Sequence, residues 1–157
     1  MTKWIHGAIR RIILSIGIGT PVSPTMEQIA GGIYDDLEDD DTPENLSKKG
    51  AAFEEYCRDI LDSNGYVADI SKASRDQGGD IFAEKDGISY VIQCKDTEKV
   101  GNKAVQEVLA ALQFYEADYA AVVTDGSYTS SAKALAAKND IALLKSRNLE
   151  DLDVFFK

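Results

Sequence analysis

Apolar positions along the chain change their period several times, and each change marks an element. In the first part, Trp4, Ile5, Ala8, Ile9, Ile12, Ile13 and Ile16 recur at helical spacing with Arg10 and Arg11 outside that face, which predicts an amphipathic helix. The prolines of "GTPVSP" break it. Met26, Ile29, Ala30, Ile33 and Leu37 predict a second amphipathic helix from near Thr25, weakened by Gly31 and Gly32. The acidic run "YDDLEDDD" and the following "TPENLSKKG" then read as a linker.

From Gly50 the pattern tightens. Phe53, Tyr56, Cys57, Ile60 and Leu61 share one helical face, and Asn64-Gly65 ends that helix. "YVADI" reads as a short strand, and "DIFAEKDGISYVIQCK" as two strands joined at the two-residue turn Asp86-Gly87. "NKAVQEVLAALQFY" predicts a helix with Val105, Val108, Leu109 and Leu112 inward and Asn102 as its cap. A buried strand "YAAVVT", a helix "SYTSSAKALAAKN" and a last strand "IALL" follow. The order αβββαβαβ predicts an α/β fold: a mixed central sheet flanked by helices over residues 46–157, after a helical N-terminal extension and acidic linker at 1–45.

Composition narrows the chemistry. With 157 residues and 44% hydrophobic content, the chain has room for one soluble domain and an extension. The single histidine, His6, lies in the extension, so a catalytic triad or a histidine-ligated zinc hydrolase is not expected. Cys57 and Cys94 are far apart in sequence and form neither a disulfide framework nor a zinc set. A reduced cytoplasmic setting is therefore expected, since the apolar run after Arg11 is too short to span a bilayer and no signal-peptide cleavage site is evident. The formal net charge of −10 argues against a broad non-specific nucleic-acid binder. Much of that acid is concentrated in Tyr34–Asp41, which reads either as a solvated tether or as a segment covering a basic groove. The first helix reads either as a membrane-surface or partner-docking element or as packing on its own domain or across a dimer.

One polar cluster stands out against this background. In "SYVIQCKD", Gln93 and Lys95 interrupt an otherwise apolar strand. If Asp86 and Gly87 form the hairpin loop, Asp80 stands directly opposite Gln93 on one face, and alternation brings Lys95 to that face. On the Phe53 helix, Glu54 flanks the apolar stripe and faces the sheet, whereas Glu55 points to water. Two carboxylates and an amide oxygen suit a hard cation, Mg²⁺ or Mn²⁺, with a lysine beside it for water activation. The same residues also read as an ordinary Asp–Lys surface pair.

"GAAFEEYCRDILDSNGYVADISKASRDQGGDIFAEKDGISYVIQCKD", with "VGNKAVQEVLAAL", "ADYAAVVTDGSYTSSAKALAAKNDIALL" and "NLEDL", resembles the Mrr-type restriction endonuclease domain of the PD-(D/E)xK nuclease superfamily. The resemblance covers Lys49 to Leu152. It implies a restriction endonuclease-like fold, with Asp80 as the central metal-ligating acid, Gln93 in the position that is Asp or Glu in the general motif, Lys95 as the catalytic lysine and Glu54 as the additional helix acid. The main-chain carbonyl of Cys94 would also meet the metal. Asp76 and Gln77 either shape this site or simply turn the chain. Gln106 flanks its helix stripe and reads either as a group near substrate or as a solvent-facing glutamine.

The expected function is a metal-dependent DNA endonuclease in restriction or defence against phage and mobile elements, acting on DNA as a homodimer or larger assembly. A non-catalytic or conditionally active DNA-binding or docking subunit, and a junction resolvase of the same fold, are the alternatives.

Overall fold

A computed structural model describes residues 42–71 and 78–156. The two helices expected at the N-terminus, His6 and the acidic run lie outside the described residues, as do Asp76 and Gln77.

The first described helix, α1 (Pro43–Ser63), starts earlier than its apolar stripe suggests. Thr42 is its N-cap, with Oγ1 accepting from the Asn45 N–H, and Pro43 takes the first helical position, where a missing N–H costs nothing. "TPENLSKKG", expected as linker, therefore forms the opening turns, with Glu44 and Lys48 paired on the surface at 3.1 Å. The helix stops as expected at Asn64-Gly65. Gly65 adopts φ 86°, and the N–H groups of Tyr66 and Gly65 return to Leu61 and Asp62 in a Schellman arrangement.

The strands β1 (Val67–Ile70), β2 (Ile81–Lys85) and β3 (Ile88–Cys94) form an antiparallel meander. Asp86 and Gly87 link β2 to β3 with φ 55° and 82°, so both turn residues are left-handed and Lys85 faces Ile88. After a two-residue strand β4 (Lys99–Val100) comes α2 (Asn102–Phe114). Its N-cap is Gly101, in extended conformation and without a side-chain bond, so Asn102 is the first helical residue and not the cap. Then follow β5 (Tyr119–Val123), β6 (Ser127–Tyr128), α3 (Ser130–Lys138), β7 (Ala142–Leu144) and a kinked 3₁₀ segment, Ser146–Phe156.

The main sheet runs β1-β2-β3-β5-β7, with β3, β5 and β7 parallel, which is the mixed sheet expected. β4 and β6 form a separate parallel pair beyond its end. The Tyr128 hydroxyl ties that pair to the main sheet through a three-centre bond to the carbonyls of Val122 and Leu144, at 2.8 and 2.7 Å.

Strand alternation divides the core. Tyr90, Ile92 and Cys94 meet Phe53, Cys57 and Leu61 of α1 and Leu149 and Leu152 of the 3₁₀ segment. Val91 and Val122 meet Val105, Val108 and Ala111 of α2 and Ala132 of α3. The C-terminal end of β3 thus emerges between two helical layers, and side chains from both can reach it.

Candidate active site

The hairpin register ends with Ile81 opposite Ile92, and the next residues, Asp80 and Gln93, meet through their side chains. The Asp80 N–H bonds to the carbonyl of Ile92, the partner of Ile81, at 2.9 Å, so the chain leaves the regular register by one residue here, as in a bulge. Asp80 Oδ2 accepts from the Cys94 N–H at 2.8 Å and from Gln93 Nε2. Both residues are buried, Asp80 at 7% exposure and Gln93 at 2%. With Nε2 turned to Asp80, Gln93 Oε1 has no hydrogen-bond partner among the described residues. A buried acceptor left in that state costs about 1–3 kcal/mol. Such an atom invites a ligand.

Val91 packs on the α2 layer, so alternation sends Gln93 and Lys95 to that same side of the sheet. Lys95 follows the last residue of β3, with its N–H held by the Val123 carbonyl at 2.9 Å. Its ammonium lies 3.2 Å from Glu107 Oε2 on α2. Glu54 comes from the opposite layer, α1. It is partly buried while Glu55 is exposed, and its carboxyl feels the charges of both Asp80 and Lys95. Beneath the site the buried Cys57 and Cys94 side chains lie together in the α1-side core. The neighbouring Cys57 and burial push the Cys94 thiol up, which leaves it an inert core group.

Electrostatically the cluster is rich in acid. Burial, then the neighbouring Asp80 charge, raises the Glu54 carboxyl to about 7 against the opposing pull of Lys95. Burial likewise raises Asp80 to about 6, with Glu107 adding to the rise, while the Cys94 N–H and Lys95 oppose it. Both acids hold protons more tightly in the folded chain than in the unfolded one. The stability they contribute is complete below about pH 4 and lost as pH rises through about 6 to 7. Metal-free protein should therefore lose stability relative to Asp80→Asn across that window, by roughly 2–3 kcal/mol from the Asp80 shift of 3.8 to about 6. Urea midpoints measured in chelator from about pH 4 to pH 8 check this. A wild-type-minus-variant difference that stays flat or grows with pH would contradict it.

Two glycines set the loop that delivers Asp80. Gly78 has φ 78°, and a Cβ there would lie 2.4 Å from the Glu107 carbonyl oxygen; one on Gly79 would lie 2.6 Å from Val91 Cγ2. The chain passes against the backbone of α2 only because neither residue carries a side chain. Gly78→Ala is expected to cost about 1–3 kcal/mol by overpacking, before backbone strain is added. Chemical denaturation measures this; an unchanged midpoint would show that the loop can move aside.

Glu107 went unread in the sequence. The large residues Val105, Val108, Leu109 and Leu112 centre the helical stripe so that Gln106 flanks it. The buried residues are Ala104, Val105, Val108 and Ala111, which rotate the inward face toward Glu107. Gln106 is exposed and is not part of the cluster. Counting the alanines as contact residues would have pointed to Glu107.

No group of three or more His, Cys, Asp or Glu side chains is arranged to hold a metal ion among the described residues. The donor set here is of another kind: the Asp80 and Glu54 carboxyls with the unpartnered Gln93 Oε1. These are hard oxygen donors, suited to a small divalent cation that keeps several waters. On donor chemistry and on the orphaned amide oxygen, the residues fit such an ion.

Comparison with known proteins agrees with this architecture. The crystal structure of AF1548, a protein of unknown function, matches with a TM-score of 0.50 at 22% identity, covering 64% of this chain and 58% of that one. This chain therefore spans less than two thirds of that protein, and at this identity the likeness concerns the fold alone. No curated protein matches. Residues 46–152 match the family Mrr_cat, described as restriction endonuclease. That span contains every residue of the cluster, from Glu54 on α1 to Glu107 on α2, and the chain belongs to the Mrr_cat family of restriction endonuclease-like nucleases.

Proposed function

We propose that this chain is a Mg²⁺-dependent endodeoxyribonuclease, with Mn²⁺ as an alternative ion, that hydrolyses phosphodiester bonds in DNA. The observation that carries the reading is the buried Asp80 carboxyl, fixed by Gln93 and the Cys94 N–H, with a free amide oxygen beside it and Lys95 on the same face. Asp80, Gln93 Oε1, Glu54 and the Cys94 carbonyl would hold the ion. Such an ion, when bound, lowers the pKa of a water and offsets charge on the scissile phosphate.

The chain's own groups account for the rest. Lys95 Nζ orients the attacking water and offsets negative charge as it builds on the phosphate oxygens. Gln93 in place of an acid leaves one negative charge fewer at the cluster, which lessens repulsion between Asp80 and Glu54 and weakens attraction for a cation. Cleavage is therefore expected to need metal on the order of millimolar. Closed circular duplex incubated across a Mg²⁺ series, with chelator as the blank, tests this; saturation at trace Mg²⁺ would contradict it.

Cutting both strands of a duplex takes two such sites, so a homodimer or larger assembly is proposed, with the N-terminal helices supplying dimerisation, partner docking or a membrane-surface contact. The biological setting proposed is cytoplasmic restriction or defence against phage and mobile elements. The net charge of −10 favours a second reading, a non-catalytic or conditionally active DNA-binding or docking subunit. Failure of the wild type to cut supercoiled, linear, single-stranded or methylated DNA would shift the weight there. Preferential cutting of four-way junctions would instead mark a resolvase.

A further inference from the structure

We infer that Glu107 is a positioning residue for Lys95, a role that rests on the nuclease reading above. Lys95 follows the last residue of β3, and although its N–H is held by the Val123 carbonyl, its flexible four-carbon stem leaves the ammonium unfixed by the backbone alone. Glu107 supplies the missing constraint. Its Oε2 lies 3.2 Å from Lys95 Nζ, and the two side chains are 28% and 34% exposed, so solvent screens the pair only in part. The same Oε2 is buried and has no hydrogen-bond partner among the described residues, so its contact with Lys95 is an ion pair at short range without alignment.

Lys103 also approaches Glu107, at 3.8 Å from Oε1, but it is 89% exposed and holds it weakly. The position of Glu107 relative to Asp80 is itself fixed. The backbone of Glu107 is the surface against which Gly78 is packed, two residues before Asp80. Helix α2 therefore references both the acid and the lysine to one point, and Glu107 ties the lysine to it.

The test has one arm that needs no cleavage. In metal-free protein, an amine-acylating reagent read out by mass spectrometry reports how freely each lysine reacts. Glu107→Gln is expected to raise Lys95 labelling by about threefold or more, with Lys103 changing little because its partner is weak. In cleavage, the same variant is expected to lower kcat about tenfold with KM for DNA within about twofold, because the lysine is misplaced while binding is not lost. Glu107→Asp, which keeps the charge on a shorter stem, is expected to recover part of kcat. Unchanged Lys95 labelling in Glu107→Gln would overturn the assignment, as would a fall in kcat that Glu107→Asp does not relieve. A wild type that cuts no DNA would count against the nuclease reading, and the labelling arm would still decide whether Glu107 holds Lys95.

Discussion

Asp80→Asn is expected to remove at least about 10³-fold of cleavage while making the metal-free protein more stable at pH 8. The two effects have one origin. Asparagine is nearly isosteric with aspartate and can still accept the Cys94 N–H that Asp80 Oδ2 accepts at 2.8 Å, so the β2–β3 hairpin end keeps its shape. The charge is lost. In metal-free protein that charge is buried at 7% exposure, and burial, with Glu107 nearby, raises its carboxyl to about 6 against the opposing pull of the Cys94 N–H and Lys95. Removing it relieves a cost of roughly 2–3 kcal/mol at pH 8, the free-energy equivalent of the shift. The same charge is the principal attraction for a cation. Urea midpoints in chelator and cleavage rates in Mg²⁺ measure both sides. A variant that loses stability, or one that keeps cutting, would show that Asp80 is a structural acid.

Lys95→Ala is expected to lower cleavage by about 10²- to 10⁴-fold, the range for removing a group that acts on the attacking water. Its structural effect should be small. Lys95 is 34% exposed, its backbone N–H still bonds to Val123, and its ion pair with Glu107 is partly solvated. The substitution does leave Glu107 beside Asp80 with only the exposed Lys103 as countercharge among the described residues, so a modest fall in stability at neutral pH is expected alongside the kinetic loss. Separating the two requires rates measured well below the unfolding transition. A variant with wild-type stability and wild-type rate would exclude Lys95 from the chemistry.

How much of this was legible depended on the kind of signal each feature carries. The Asp86-Gly87 turn was readable because two left-handed residues in succession are favoured at few sequences, and once the loop is set the strand period leaves no freedom in register. That the side chains of Asp80 and Gln93 would meet followed from it, although the Asp80 backbone bonds one residue out of that register. The face of α1 was readable from its large residues, which separated Glu54 from Glu55. By contrast, α2 packs through Ala104 and Ala111, whose small side chains give a weak apolar signal and hide the orientation that brings Glu107 to Lys95.

Other features fell outside periodic patterns altogether. The start of α1 at Pro43 lies ahead of its apolar stripe and rests on the Thr42 cap alone. β4 and β6 are two residues each, too short to show alternation, and they depend on Tyr128 reaching across to Val122 and Leu144. The close approach of Gly78 and Gly79 to α2 and β3 is a contact between distant parts of the chain. A local reading of "DQGGD" registers only a loop.

The central claim is that the end of the β2–β3 hairpin, with Glu54 from α1, is a metal-dependent phosphodiesterase site. The most direct measurement is conversion of supercoiled plasmid to nicked and linear forms by the wild type, Asp80→Asn and Lys95→Ala side by side, each with Mg²⁺ and with chelator. The expected result is conversion by the wild type in Mg²⁺ alone and none above background by either variant. Cleavage that survives both substitutions, or that proceeds equally in chelator, would contradict the account.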